Sequence, residues 1–156
     1  MSFAHPIDDR YFEDYVEGEV HRFGSIAVEQ DEVIAFAKRF DPQTFHVDPE
    51  AAKKTQFGGL IASGWHTGAL MMRMLFEHYL THVASLASPG IDELRWIKPV
   101  RPGDRLSLRV TVAKATPSRS KPDRGAVTSF IEVLNQADEV VMSMKAINMV
   151  AKRRQA

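Results

Sequence analysis

From Arg105 onward the chain is patterned for sheet. In "RLSLRVTVAKA" the apolar residues Leu106, Leu108, Val110 and Val112 alternate with polar ones and fall on one side of a strand. The segments "GIDELRWIKPV", "GAVTSFIEVLNQ" and "EVVMSMKAINMVA" continue the pattern. Turn signals separate them at Pro102-Gly103-Asp104, Pro117 to Gly125 and Gln136-Ala137-Asp138. Such a chain makes an antiparallel sheet with one apolar face, and that face has to be covered. The stretch from Trp65 to Ser85 supplies a cover. Leu70, Met71, Met72, Met74, Leu75 and Phe76 leave it almost no polar side, which predicts a helix buried nearly all round. Gly68 within it points to close packing. The pattern predicts an α+β fold, a curved antiparallel sheet wrapped around one long buried central helix.

The first third of the chain is organised differently. "HRFGSIAVE" (21–29) is rich in strand formers. In "QDEVIAFAKRF" (30–40) the residues Val33, Ile34, Phe36, Ala37 and Phe40 recur at helical spacing. Asp41-Pro42 ends that helix, because proline disfavours the α region in the residue before it. Asp48-Pro49 reads as an N-cap and first helical position, opening a short helix to about Lys54. A loop with Gly58, Gly59 and Gly64 leads into the long helix. Residues 1–18 are acidic and aromatic and are expected to lie along the surface of a single domain spanning 1–156. Residues 151–156 form a basic tail.

Composition narrows the function. Lys+Arg (20) and Asp+Glu (20) cancel, which gives no reason to expect a nucleic-acid partner. With no cysteine, disulfides, thiolate metal sites and cysteine nucleophiles are excluded. No ligand cluster suggests a metal. The first residues lack the features of a signal peptide, and no apolar run is long enough for a bilayer. A cytoplasmic protein with no membrane partner is the expectation.

Between the two helices stands "DPQTFH". It places Asp41 and His46 five positions apart, in a segment that either connects two helices or displays an acid/base pair. Taken alone, Asp41 also reads as a helix-end residue, His46 as an ordinary histidine, and Asp48 as a cap. Ser63 either completes the turn before the helix or touches a ligand. His66 reads as structural, Trp96 as core or interface, and Arg119, Lys121 and Arg124 as a solvated hairpin loop.

Asp41 to His46, followed by "FGGLIASGWHTGALMMRML" and "RWIKPVRPGDRLSLRVTV", resembles the MaoC-like dehydratase family of the hotdog fold, which includes the R-specific enoyl-CoA hydratases. The resemblance covers residues 10 to 150 or so. The family's segment is Asp-x-Asn-Pro-Leu-His, so here Gln43, Thr44 and Phe45 replace Asn, Pro and Leu. It implies hydration of a trans-2-enoyl-CoA to a 3-hydroxyacyl-CoA and the reverse dehydration. Asp41 and His46 would act on one water, and the Gly64 N–H would stabilise the thioester oxygen. Ser63 and Phe45 would line the substrate site. Met72, where some relatives carry serine, would border the acyl chain. The resemblance implies no cofactor beyond the CoA of the substrate, and a homodimer or dimer of dimers. Two other functions stay open: a hotdog acyl-CoA thioesterase, for which Glu77 is the acid on the helix, and a non-catalytic acyl-CoA-binding protein.

Overall fold

The computed structural model describes residues 2–155. Met1 and Ala156, the outer ends of the N-terminal segment and of the basic tail, lie outside the described residues. The chain runs β1 (Val20–Ala27), α1 (Gln30–Phe40), α2 (Thr44–Val47), α3 (Pro49–Ala52), α4 (Gly64–His78), β2 (Ser85–Trp96), β3 (Arg105–Pro117), β4 (Arg124–Leu134) and β5 (Val140–Ala151). The five strands form one sheet in the order β1-β3-β4-β5-β2, with every neighbouring pair antiparallel. This is the α+β hotdog architecture, with α4 as its central helix.

The alternating residues of β3 do what their spacing demands: Leu106, Leu108, Val110 and Val112 are all fully buried. Val127, Ile131 and Val133 of β4 and Met142, Met144 and Ala146 of β5 extend the apolar face. Leu70, Met71, Met74 and Leu75 of α4 close over it. On the outer face Arg109 and Glu132, opposed in register, make a two-pronged ion pair at 2.8 and 3.0 Å. Gly24 lets helix and sheet approach. Its φ is +87°, and a Cβ there would strike the Met74 side chain. The pairing of β1 with β3 shifts register across the same point, between Phe23 and Ile26.

Three features differ from the sequence reading. First, α4 stops at His78, and Thr81 passes into contacts with the N-terminal segment: its N–H donates to the Tyr15 hydroxyl and its own hydroxyl to the Arg10 carbonyl. The strand then begins at Ser85, five residues before Gly90, and runs through Pro89. Proline is tolerated because β2 is an edge strand and its pairing with β5 slips between Ala87 and Gly90.

Second, the N-terminal segment is not merely laid on the surface. Arg10, Phe12, Asp14 and Tyr15 are buried. The Arg10 guanidinium donates to the carbonyls of His78 and Tyr79 at 3.0 Å each, and the Tyr15 hydroxyl donates to Tyr79 at 2.7 Å. These bonds satisfy carbonyls at the end of α4 that the helix itself leaves unpaired. In the tail, Arg153 binds Asp9 and Asp14 and so fastens both termini together.

Third, α4 is not buried all round. Trp65 (62%), Met72 (47%) and Phe76 (50%) are exposed on its outer side, because one sheet covers only one side of a helix.

Replacing Arg10 with methionine keeps most of the packing but strands buried carbonyls. A loss of about 2 kcal/mol is expected in urea unfolding, the scale for a buried polar group left unpaired. A change below about 0.5 kcal/mol would show that the carbonyls find other partners.

Candidate active site

The Asp41–His46 offset becomes geometry through one tight turn. Asp41 is the C-cap residue of α1, with its N–H on the Ala37 carbonyl at 2.8 Å, and Pro42 prevents continuation. The chain reverses through Gln43, whose N–H meets the Asp41 carbonyl at 2.8 Å. The single helical turn α2 then carries His46 back, placing its Nε2 3.2 Å from Asp41 Oδ2. His46 is buried, and its Nδ1 lies 2.7 Å from the Ile61 carbonyl. A carbonyl only accepts, so Nδ1 carries a hydrogen and Nε2 is the nitrogen that faces Asp41. Phe45 backs the imidazole edge-to-face, with centroids 4.5 Å apart.

Asp41 is held by three groups. The Gln43 amide donates to Oδ1 at 2.8 Å, the Ser63 hydroxyl donates to Oδ2 at 2.7 Å, and His46 faces Oδ2. The Gln43 amide, then Ser63 and His46, hold the carboxyl below the usual carboxylate range, against partial burial that pushes the other way. Asp48 serves α3 instead, accepting from the N–H groups of Glu50 and Ala51 at 3.1 Å each.

Ser63 joins this pair to the start of α4. It is the helix N-cap, accepting from the Trp65 N–H at 3.3 Å while donating to Asp41. The N–H groups of His66 and Thr67 go to the Ser63 carbonyl. Of the first-turn donors, the Gly64 N–H is left without a protein acceptor among the described residues, where the helix dipole is positive. A Cβ on Gly64 would overlap the Trp96 indole, so glycine is required here by a neighbouring ring as well as by access.

A cavity of about 360 Å³ opens at this point, lined by His46, Gly64, Thr67, Phe57, Trp96 and Val100 among others. Its walls are mostly apolar, with His46, Thr67 and Lys98 as the polar side chains among its lining residues, a mixture usual in small-molecule sites. His46 and Gly64 line it; Asp41 does not, and reaches it through its 3.2 Å contact with His46.

The other expected contacts need correction. Ser63 is fully buried, so its hydroxyl serves Asp41 and the helix and not a bound molecule. Phe45 stands behind the His46 ring and does not line the cavity. Met72 lines a separate apolar groove of about 540 Å³ with Phe36, Phe40, Trp65, Ile91 and Met142. Sequence reasoning passed over Phe57 and Thr67, noted Gln43 only as a departure from the family's segment, and read Trp96 as core or interface. Only Gln43 lay within the Asp–His motif; the others reach the cavity through the fold. Glu77 pairs with Arg73 at 2.5 Å, about 20 Å along the helix from Gly64 at 1.5 Å per residue. His66, buried as expected for a structural role, meets Glu32 at 3.0 Å. Among the described residues no group of three or more His, Asp or Glu side chains is arranged to hold a metal, and no helix is long and apolar enough to cross a membrane.

Comparison with known proteins agrees with this architecture. The model of the MaoC like domain matches residues 12–137. The uncharacterized protein YdeM of Bacillus subtilis is 33% identical over 141 residues, 90% of this chain and 98% of that protein. The 3-hydroxybutyryl-CoA dehydratase of Methylorubrum extorquens is 30% identical over 151 residues, covering 94% of this chain and 87% of the relative. The crystal structure of a MaoC-like dehydratase from Rhodospirillum rubrum superposes with a TM-score of 0.86 at 42% identity, over 94% of this chain and 99% of that one. The chain, matched from Phe12 to Ala137, thus belongs to the MaoC-like dehydratase family.

Proposed function

We propose that the protein hydrates a trans-2-enoyl-CoA to a 3-hydroxyacyl-CoA and catalyses the reverse dehydration. The observation that carries this reading is an apolar cavity lined by His46 and Gly64, with Asp41 Oδ2 3.2 Å from His46 Nε2 and the Gly64 N–H without an acceptor among the described residues.

Each group has a task. The thioester oxygen accepts from Gly64 N–H, so the charge that develops as water adds meets a donor already in place. A water held between Asp41 and His46 attacks C3. Asp41 takes one of its protons, and the oxygen stays on C3 as the new hydroxyl. With Nδ1–H on Ile61, a proton on Nε2 makes His46 an imidazolium, and that Nε2 proton goes to C2. Proton transfer from Asp41 to His46 across their direct contact restores the pair. Atoms balance: one H–O bond of water and the C2–C3 π bond break, and one C–O and one C–H bond form. The reaction needs no resident cofactor, since CoA enters as part of the substrate.

The outer edge of β2 supports a dimer. The strand is long, carries exposed Leu86, Ile91 and Trp96, and has a neighbour on one side only. A second copy pairing along this edge removes the open ladder.

Crotonyl-CoA tests the reading. Loss of the enoyl absorbance with CoA still esterified is the expected result. Free thiol instead would assign a thioesterase, and no change across a panel of enoyl-CoAs would assign a binding role. Asp41→Asn and His46→Ala are each expected to lower turnover by about 10²–10⁴-fold with little change in melting temperature. Near-native turnover in either variant overturns its role. Ser63→Ala removes a donor from Asp41, so the carboxyl rises toward its ordinary value. The acid limb of the kcat/KM profile should then move to higher pH, and an unmoved limb would mean that Asp41 does not set it.

A further inference from the structure

The catalytic cavity and the apolar groove are neighbours that share no lining residue. They adjoin at three places. Thr67 lines one and Gly68 the other, Val141 one and Met142 the other, and Trp96 one and Trp65 the other. At the third place the two indoles stand edge-to-face, with centroids 5.1 Å apart and planes at 80°. The Trp96 ring also lies against Gly64, where a side chain would otherwise be. The tryptophan pair is therefore a wall, set directly beside the donor proposed for the thioester oxygen.

The geometry points to the Trp65–Trp96 pair as the determinant of acyl length, restricting the enzyme to short-chain enoyl thioesters of about four carbons. This rests on the hydratase reading above.

With the thioester oxygen on Gly64 N–H, C2 and C3 lie against Asp41 and His46, and C4 follows within the cavity wall. Carbons beyond C4 need apolar room. The adjoining groove has it, about 540 Å³ lined by Phe36, Met71, Met72, Leu94, Met142 and Met144 among others. A longer chain reaches that room only by displacing the indoles. Edge-to-face packing and the seat on Gly64 hold them in place. If the groove were open to the chain, each added methylene would raise kcat/KM about fourfold by burial. With the wall closed, longer chains gain nothing and clash.

The test compares kcat/KM for crotonyl-, hexenoyl- and octenoyl-CoA in the wild type, Trp96→Ala and Trp65→Ala, with folding checked by melting temperature. The wild type is expected to favour crotonyl- over octenoyl-CoA by about tenfold or more. Both variants should raise the octenoyl-to-crotonyl ratio by about tenfold or more, mainly through KM for the longer substrate. Trp65 is largely exposed and does not line the cavity, so Trp65→Ala carries the test should Trp96→Ala fold poorly. A wild type that accepts octenoyl- as readily as crotonyl-CoA overturns the inference. So does an unchanged ratio in the folded variants. A wild type that hydrates none of the three overturns the hydratase reading itself, and this inference with it. The wild-type crotonyl rate separates the two failures.

Discussion

The hydrogen bond from Ser63 to Asp41 is the constraint on which the site depends. One hydroxyl closes the first turn of α4 and fixes the carboxylate at the end of α1. Two helices far apart in sequence are locked at the point where their chemistry has to meet. His46 is fixed by a different anchor, the Ile61 carbonyl, two residues before the same serine. Both side chains proposed to act on the substrate are thus referenced to the short segment that enters α4. Movement of that segment would carry imidazole, carboxylate and the Gly64 N–H together, which preserves their spacing. Precision of this kind comes from a supporting layer of bonds and not from the rigidity of the acting groups.

The sheet provides the frame and leaves a problem. Its central strands bury their apolar residues completely, yet β2 is exposed along nearly its whole length, and the outer side of α4 shows Trp65, Met72 and Phe76. Apolar surface and an unpaired strand edge are therefore open on the same chain. Pro89 and the register slips of β2 weaken its ladder only locally. The proposed pairing with a second copy answers both exposures at once, and it would change what surrounds the groove beside α4.

Periodicity made much of the fold legible. Leu106 to Val112 announced the sheet, Val33 to Phe40 the first helix, and the Pro42 and Pro49 breaks the turn that brings His46 back to Asp41. What escaped has a common cause. Ser63 is a polar residue whose partner lies 22 positions away, and nothing local shows whether a hydroxyl faces inward or toward a ligand. Met72 sits on the helix as spacing requires, but which hollow it lines depends on β2 and β5. Arg10 and Tyr15 looked like surface residues because charge and hydroxyl are ordinary at a surface. Their burial follows from the carbonyls at the end of α4, a demand invisible until the helix is placed. The family resemblance assigns the Gly64 N–H to the thioester oxygen, but the ring that forbids a side chain there comes from Trp96, far along the chain.

The two ends of α4 carry the argument from fold to function. A helix inside a sheet must satisfy unpaired carbonyls at one end and unpaired N–H groups at the other. At the C-terminal end Arg10 and Tyr15 supply donors from a segment folded in for that purpose. At the N-terminal end the cap is equally complete for Trp65, His66 and Thr67, and it stops at Gly64. A protein selected for stability alone gains by closing both ends. Here the open donor coincides with a cavity, a carboxylate held ionised by three neighbours and an imidazole with one nitrogen committed. An unpaired N–H at such a cavity is where an oxygen acquiring negative charge gains most, because the donor is already oriented.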